Sequence, residues 1–298
     1  MAGSDKPISW GAGPALSPVG GVDSDRAGRS ATESAPAKLT LSLRITGVRP
    51  DGLHELDAEM VTIDLADALT FTAGSGLTVI DGVVGDLGLS ALSDDNLVEK
   101  ALGLVNKRAA VRLAKRIPVG AGLGGGSADA AAVLRWAGVT STEVAAQLGS
   151  DVPFCLAGGR ARVSGTGERV EALPFQDRRF VLLLPPISVD TGSVYKAWDY
   201  LSRQEGSSSA DRKDSGNDLE EAALTVSPQL RHWRETFAGI TGRRPRLAGS
   251  GSAWFVEGTP EELDLGKRSS LVLGNLRAPV VAVRTTKAAL RSAQVTSP

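Results

Sequence analysis

Apolar and polar residues alternate over the first clearly patterned stretch of the chain. Apolar residues occupy every second position from 39 to 45, and polar residues lie between them. This period of two predicts a β-strand with one buried face, and it places Lys38 and Thr40 on the polar face. Residues 69–72 and 77–80 flank a Gly-Ser turn and predict a hairpin. Further strands are predicted over 60–65, 110–116, 160–164, 169–173, 180–184, 253–257 and 280–283.

Apolar residues recur with helical spacing in six other stretches. Asp94 or Asp95 is expected to cap the first helix. The second opens with Ser127, a good N-cap residue, and Asp129 then adds a carboxylate to the first turn. Strands and helices in this irregular order predict an α+β fold, without the regular alternation of a doubly wound sheet. The predicted helices span 97–105, 127–136, 140–149, 193–201, 217–225 and 228–238.

Two local signals bound the third helix. A capping box, Thr140-x-x-Glu143, predicts where it begins. Pro153 follows its end and is expected to prevent the helix from resuming, because proline lacks the backbone donor that a helix interior needs.

The 298 residues suit two domains of ordinary size. Residues 1–35 are rich in glycine, serine, proline, alanine and aspartate without sustained apolar periodicity, so we expect a disordered extension there. The two domains are expected over 36–175 and 176–290, with the boundary just before the buried strand at 180–184.

Charge and cysteine content limit the class of partner. The net charge of −1 predicts no general attraction to nucleic acid or to an anionic membrane. No apolar run approaches the length of a membrane span, and residues 1–35 lack the pattern of a secretory signal. Cys155 is the only cysteine, which excludes an internal disulfide and suits a reducing cytosol. We therefore expect a cytoplasmic protein, and nothing indicates an obligate protein partner.

The stretch with the clearest chemistry is 116–132, where five glycines fall within seven positions. Such a backbone lets N–H groups approach a ligand closely, and a helix that begins after it favours an anion, above all phosphate. The Walker pattern is excluded because no lysine follows the glycines. Gly120-x-Gly122-x-x-Gly125 satisfies the dinucleotide fingerprint, but glycine this dense fits many templates, and Glu143 at the expected acidic position belongs to a helix start. A mobile glycine loop is the structural alternative.

Seven motifs together resemble one family. The sequence Pro-x-Gly-x-Gly-Leu-Gly-Gly-Gly-Ser at 118–127 is similar to the phosphate loop of the GHMP kinases. The other six resemble the branch that acts on 4-diphosphocytidyl-2-C-methyl-D-erythritol, and they fall in that family's order over residues 36 to about 285. They are Ala37-Lys38-Leu39-Thr40-Leu41, Arg49-Pro50-Asp51-Gly52-Leu53-His54-Glu55-Leu56, Asp95-Asn96-Leu97-Val98, Gly149-Ser150-Asp151-Val152-Pro153-Phe154, Asn217-Asp218-Leu219-Glu220 and Ser250-Gly251-Ser252.

The resemblance implies the two-domain GHMP kinase fold. Its N-terminal domain is like domain 2 of ribosomal protein S5, its C-terminal domain is ferredoxin-like, and the site lies in the cleft between them. The implied reaction transfers the γ-phosphoryl of ATP to the 2-hydroxyl of the methylerythritol moiety. Mg²⁺ is expected because ATP carries it. No His/Cys cluster in the sequence has the spacing of metal ligands.

The resemblance also implies roles for individual residues. Asp151 is expected to be the general base that takes the proton of the substrate hydroxyl, with Lys38 as its charge partner. His54 is expected to contact the cytosine. Leu53 and Thr40 are also placed at the substrate by the resemblance. Leu53 stands where the family usually has a tyrosine that stacks on the base, and Thr40 replaces the usual asparagine. The expected ATP-binding residues are Pro118, Val119, Gly120, Ala121, Gly122, Leu123, Gly124, Gly125, Gly126, Ser127 and Ala128.

Other interpretations stay open at this point. Without the resemblance, Asp151 is interpreted as a turn residue, Lys38 as a solvent-exposed charge on a strand and His54 as a surface histidine. Ser250 and Ser252 either help to close the phosphate site or only permit tight packing. The functional alternatives are another GHMP small-molecule kinase with a different head-group preference, an inactive nucleotide-binding homologue and, least favoured, an NAD-dependent oxidoreductase.

Overall fold

The computed structural model describes residues 30–81, 96–204 and 216–287, which form two β-sheets with helices packed against them. The strands of the first sheet are β1 (Ala31–Val48), β2 (His54–Thr72), β3 (Gly76–Asp81), β4 (Ala110–Lys115), β5 (Arg160–Gly165) and β6 (Arg169–Ala172). Their order is β3-β4-β2-β5-β6, and β1 pairs with β2. The β3–β4 pair is parallel, and the other pairs in this sheet are antiparallel.

The second sheet is antiparallel, with the order β10-β11-β7-β9-β8. Its strands are β7 (Arg179–Leu183), β8 (Arg246–Leu247), β9 (Trp254–Glu257), β10 (Ser270–Leu273) and β11 (Leu276–Arg284). No helix in the described ranges is both long enough and apolar enough to cross a membrane. The helices are α1 (Leu97–Leu104), α2 (Gly125–Trp136), α3 (Thr142–Ala146), α4 (Val152–Ala157), α5 (Thr191–Gln204), α6 (Glu220–Val226) and α7 (Gln229–Thr241).

Strand β1 is buried on both faces through its middle. The predicted apolar face lies in the core, with Leu39 fully buried. Lys38 and Thr40, which alternation assigns to the polar face, are also buried, at 5% and 2% exposure. They are covered because the glycine-rich segment packs on them: the N–H of Lys38 donates to the carbonyl of Leu123 at 3.1 Å. The prediction of a strand is confirmed, and the prediction of a solvated polar face is wrong.

Two further predictions about the strands are wrong in part. The predicted disordered extension over 1–35 ends too late, because β1 begins at Ala31 and pairs with β2 from there; residues 1–29 lie outside the described ranges. The predicted hairpin of 69–72 with 77–80 does not form. Strand β4 pairs with β2 at 68–72 and with β3 at 76–81, so it lies between them. A pairing partner more than 30 residues along the chain leaves no trace in a local turn signal.

Helix starts differ from the prediction by at most three residues. Asn96 caps α1, accepting from the N–H of Val98 at 2.9 Å; residues 94 and 95 are outside the described ranges. Ser141, one residue after the predicted cap residue Thr140, caps α3. Pro153 does not end a helix: it occupies the first turn of α4, where its missing N–H costs nothing.

The start of α2 needs a larger correction. Its N-cap is Gly124, in the left-handed conformation, so Ser127 lies inside the first turn and does not cap the helix. Asp129 is not a solvated carboxylate near the helix start, because it is buried within the protein. The sequence pattern gave the serine and aspartate their usual capping roles, whereas glycine takes the cap here because of its permitted positive φ.

Helix α2 anchors the end of the glycine-rich segment in the core. Residues 128–134 of this helix are all buried, and most of them are alanines, so its backbone packs closely against β1 and α1. At its C-terminal end, Trp136 stacks on Phe71 of β2 with the ring centroids 4.4 Å apart.

Several contacts join the second part of the chain to the first sheet. Asn217 forms an isolated bridge with Leu43 of β1, and its buried side-chain amide donates to the carbonyls of Leu247 and Gly249. Asp218 accepts from the N–H of Ile45 at 2.9 Å. The chain passes from the first sheet to the second between residues 172 and 179, and the predicted domain boundary at 175/176 falls inside this segment.

Phe71→Ala should lower the free energy of unfolding by about 3–5 kcal/mol, because it removes a buried ring and leaves a cavity beside Trp136. Urea denaturation followed by circular dichroism measures this loss. Phe175→Ala is the control, because that ring is 38% exposed; it should cost less than about 1 kcal/mol. Similar losses in the two variants would contradict the anchoring role of the Phe71–Trp136 stack.

Candidate active site

The glycine-rich segment 116–124 forms the loop between β4 and α2, called the glycine loop below. Gly120, Gly122 and Gly124 all have φ between 68° and 74°, a conformation that favours glycine. Because α2 begins directly after Gly124, its free N–H groups lie at the end of the loop. The combination suits an anion, as the sequence predicts.

A second loop of small residues, 248–253, packs directly against the glycine loop. The N–H groups of Ser252 and Ala253 donate to the carbonyls of Gly120 and Ala121, at 3.2 and 3.1 Å. A Cβ on Gly122 would lie 2.0 Å from the carbonyl oxygen of Ala248. Glycine at 122 is therefore required by this contact as well as by its φ. The two loops belong to the two different sheets.

The serines of the second loop are buried in this packing. Ser250 is within hydrogen-bond distance of the Thr191 hydroxyl at 2.9 Å, and Ser252 is 1% exposed. Tight packing of these serines is therefore observed. Ser250 also lines the cavity described below.

Lys38 and Asp151 form an ion pair between β1 and the start of α4. Nζ of Lys38 lies 3.3 Å from Oδ2 of Asp151 and 3.2 Å from Oγ1 of Thr40. The lysine side chain is 7% exposed and the aspartate side chain 31%, so the pair has its carboxylate on the more open side. Gly124 leaves room for the lysine, because a Cβ there would lie 2.8 Å from Cγ of Lys38.

The residues before Asp151 are supported by the turn between β5 and β6. Gly167 in this turn has φ +115°, and a Cβ on it would lie 2.5 Å from the carbonyl oxygen of Ser150. Glu168 stabilises the turn by accepting from the N–H and the hydroxyl of Thr166, at 2.6 and 2.8 Å. The turn therefore packs against the backbone that holds Asp151.

His54, at the start of β2, is held by α5. Its Nε2 donates to Oδ1 of Asp199 at 2.8 Å. The ring centroids of Tyr195 and Trp198 lie 4.7 and 5.5 Å from that of His54, and Trp198 is nearly perpendicular to the imidazole. Burial, with a smaller contribution from the charge of Asp151, raises the pKa of Tyr195 to about 12, so its phenol stays protonated. Leu53 is 47% exposed beside this cluster.

One cavity of about 1320 Å³ brings most of the predicted site residues together. It is lined by Lys38, Asp151, Leu53, His54, residues 118–124 of the glycine loop and residues 125–127 of α2. Thr40 and Ala128 do not. Both are at most 2% exposed, Thr40 as a partner of Lys38 and Ala128 inside α2.

Several lining residues were missed by the sequence analysis. Tyr195 was hidden within an ordinary amphipathic helix pattern, although it is one of only two tyrosines. The 165–168 turn carries two glycines and a glutamate, and two closely spaced glycines are the sequence feature that could have indicated a close backbone contact there. Lys115 and Asp129 also line the cavity. The position of Lys115, directly before the glycine-rich segment, is the sequence feature that could have pointed to it.

Within the described ranges, no group of three or more histidine, cysteine, aspartate or glutamate side chains could hold a metal ion. The only cysteine, Cys155, is a buried free thiol. Burial raises its pKa to about 12, with the charge of Asp151 as a further cause, so it stays a thiol and is inert.

The chain matches known kinases over most of its length. The sequence model of the GHMP kinases N terminal domain matches residues 96–159. The 4-diphosphocytidyl-2-C-methyl-D-erythritol kinase of Synechococcus sp. (strain CC9605) is 44% identical over 186 residues, covering 55% of this chain and 59% of that protein. The kinase of the same name from Novosphingobium aromaticivorans is 37% identical over 254 residues, covering 80% and 88%.

A solved structure agrees with these relatives. The crystal structure of a 4-(cytidine 5'-diphospho)-2C-methyl-D-erythritol kinase is 32% identical, with a TM-score of 0.64, and covers 86% of this chain and 100% of that one. The predicted α+β GHMP kinase fold is confirmed. The chain therefore belongs to the 4-diphosphocytidyl-2-C-methyl-D-erythritol kinase family of GHMP kinases.

Proposed function

We propose that this protein is an ATP-dependent kinase that phosphorylates the 2-hydroxyl of 4-diphosphocytidyl-2-C-methyl-D-erythritol, a step in non-mevalonate isoprenoid precursor biosynthesis. The names of its relatives support the substrate. The observation that carries the reaction type is the Lys38–Asp151 pair, 3.3 Å apart, in one cavity with the glycine loop.

Asp151 acts as the general base in this proposal. Its carboxylate is partly open to the cavity and makes no helix-capping hydrogen bond, so an oxygen is free to accept the proton of a substrate hydroxyl. The hydroxyl oxygen then attacks the γ-phosphorus, and ADP leaves. The Lys38 ammonium, 3.3 Å away, holds the carboxylate in one orientation.

The glycine loop and the first turn of α2 bind the phosphates of ATP through backbone N–H groups. The positive φ values at 120, 122 and 124 and the N-terminus of α2 support this role. Mg²⁺ enters as MgATP, the co-substrate, with phosphate oxygens and water supplying most of its ligands. We also propose a cytoplasmic location, which suits a chain whose only cysteine is a free thiol.

The cytidine head group is proposed to bind beside His54 and Tyr195. The His54–Asp199 hydrogen bond fixes the imidazole, and Tyr195 adds an aromatic face to the same cavity. Leu53 lines this region with apolar surface but has no π face. We propose that base binding therefore depends on Tyr195 more than it would if residue 53 were aromatic.

A coupled assay of ADP release across candidate alcohols tests the whole proposal. Turnover with the diphosphocytidyl substrate, and not with homoserine or mevalonate, is the expected result. Turnover with another alcohol, and none with the diphosphocytidyl substrate, would show that the substrate head group is not cytidine diphosphate. ATP binding without turnover of any acceptor would identify an inactive homologue.

Asp151→Asn should lower kcat by at least about 10²-fold and leave the KM for ATP nearly unchanged, because the amide keeps the shape but cannot accept the proton. Steady-state kinetics measure both constants. Asp57→Asn is the control: it removes an exposed carboxylate paired with Arg162, outside the cavity lining, and should leave both constants unchanged. A near wild-type kcat in Asp151→Asn would show that this carboxylate is structural.

Gly167→Ala should lower kcat by about tenfold or more, because the new Cβ would push the Ser150 carbonyl and shift Asp151. Gly138→Ala is the matched control. Gly138 also has a positive φ, +81°, but a Cβ there would meet nothing within 4 Å. Both variants should lose thermal stability from backbone strain, Gly167→Ala more because its Cβ also meets Ser150, and only Gly167→Ala should lose kcat. Equal kcat in the two variants would mean that the turn does not position the base.

Leu53→Tyr should lower the KM for the diphosphocytidyl substrate by up to about tenfold, because stacking on a base contributes roughly 1–3 kcal/mol and leucine already supplies part of it by burial. The KM for ATP should not change. Leu53→Met, which is apolar without a ring, is the control and should resemble the wild type. An increase in KM with tyrosine would place the base elsewhere in the cavity.

A further inference from the structure

Three buried ionisable side chains lie beneath the glycine loop and have no role in the proposed phosphoryl transfer. Nζ of Lys115, at the end of β4, lies 2.5 Å from Oδ2 of Asp67 on β2 and 2.8 Å from Oδ2 of Asp129 on α2. All three side chains are at most 4% exposed. The cluster joins the strand that precedes the loop to the helix that follows it. A Cβ on Gly125 would lie 3.2 Å from the Lys115 ammonium, so the cluster is in contact with the end of the loop.

The two carboxyl groups of this cluster have unequal sets of donors. Asp67 accepts from the backbone N–H groups of Arg116 and Ile117 as well as from Lys115. These three donors stabilise a negative charge on Asp67. Asp129 has the shared ammonium alone, and its Oδ1 is buried without a hydrogen-bond partner among the described residues. Protonation of Asp129 therefore sacrifices fewer charge-assisted hydrogen bonds than protonation of Asp67 would.

The net charge of the cluster also favours a proton on Asp129. With both carboxyl groups ionised, the buried cluster has a net charge of −1, and a buried charge without its own partner is costly. Burial raises the pKa of Asp129 to about 8; the charge of Lys115 opposes this shift and that of Asp67 adds to it. Burial lowers the pKa of Lys115, but the charges of Asp129 and Asp67 outweigh burial and raise it overall, so the ammonium stays charged.

The other titratable groups near α2 do not supply a positive charge that could neutralise the cluster in place of this proton. Cys155 on α4 interacts with Asp129, but burial raises its pKa to about 12 and it stays neutral. Lys38 on β1 and Asp151 at the start of α4 pair with each other. Nucleotide phosphates at the glycine loop would place further negative charge over the cluster, which disfavours an ionised Asp129.

We propose that Asp129 is a positioning residue that must be protonated when nucleotide occupies the glycine loop, so that Lys115 and Asp67 hold the two ends of the loop as an electrically neutral cluster. This proposal rests on the proposed function, because it places nucleotide phosphates at that loop. Its consequence is a proton balance. Nucleotide binding to protein with an ionised Asp129 takes up one proton from solvent, which neutralises the carboxylate.

Calorimetric titration with MgADP tests this balance. At pH 8.5, in two buffers with different ionisation enthalpies, the difference in binding heat should correspond to an uptake of about half a proton or more per nucleotide. The Kd should be about five- to tenfold weaker at pH 9 than at pH 7. The phosphates of ADP do not contribute, because their last ionisation, near pH 6, is complete by pH 8. Binding without proton uptake would overturn the proposal and leave the proposed function intact, whereas absence of binding at pH 7 would overturn both.

Asp129→Asn separates this residue from other groups. Asparagine is similar in shape and permanently neutral, so the variant should keep the pH 7 affinity within about threefold, take up no proton and bind equally well at pH 9. Asp64→Asn is the control: its carboxylate pairs with Arg284 on the surface, and it should keep the proton uptake of the wild type. Unchanged uptake in Asp129→Asn would overturn the proposal.

A measurement on the wild type keeps the test decisive if Asp129→Asn fails to fold. Carbon-13 NMR of protein labelled at the aspartate carboxyl carbons follows each carboxyl group through its titration. One resonance should titrate near pH 8 and move to higher pH when MgADP is added. A set of aspartates that all titrate below pH 6 would overturn the proposal.

Discussion

Contact between the glycine loop and the 248–253 loop is the constraint on which the site depends. There is no room for a side chain where they meet, since a Cβ on Gly122 would lie 2.0 Å from the Ala248 oxygen. One loop comes from the first sheet and the other from the second, so the contact fixes the backbone of the glycine loop relative to both. Gly249 extends the same contact to the site, because a Cβ on it would lie 3.2 Å from the Lys38 ammonium.

This arrangement also explains why a lysine can be buried on β1. The glycine loop excludes water from the polar face of the strand, and a buried ammonium then needs an acceptor and a counter-charge. Thr40 supplies the first and Asp151 the second. Because Asp151 is the more exposed partner, its carboxylate stays accessible to a substrate while the lysine does not.

The sequence predicts local features well and non-local ones poorly. Most strands, the helices and the glycine loop were predicted because their signals are periodicity and composition within a few residues. The β2–β3 hairpin was wrong because β4, from later in the chain, takes the position between the two strands. Lys38 was assigned to a polar face because alternation cannot show what covers a strand.

In the candidate site, too, local features were predicted and contacts between distant elements were not. The motifs predicted most residues of the cavity wall, since they could be matched one position at a time. Asp129 was interpreted as a helix-start carboxylate, and its burial depends on Lys115 and Asp67, which come from two other elements. Tyr195 carried no local signal of its own. Contacts between distant elements decided each of these outcomes.

The hydrogen bonds from Ser252 and Ala253 to the glycine loop have a consequence for how the enzyme completes a cycle. A hinge rotation that separated the two sheets would break both bonds and leave four backbone groups unsatisfied, at a cost of about 1–3 kcal/mol for each that stays buried. Opening of that kind would also move the loop that is proposed to hold the nucleotide. We therefore expect ADP and the phosphorylated product to leave through the mouth of a cleft whose two walls stay joined.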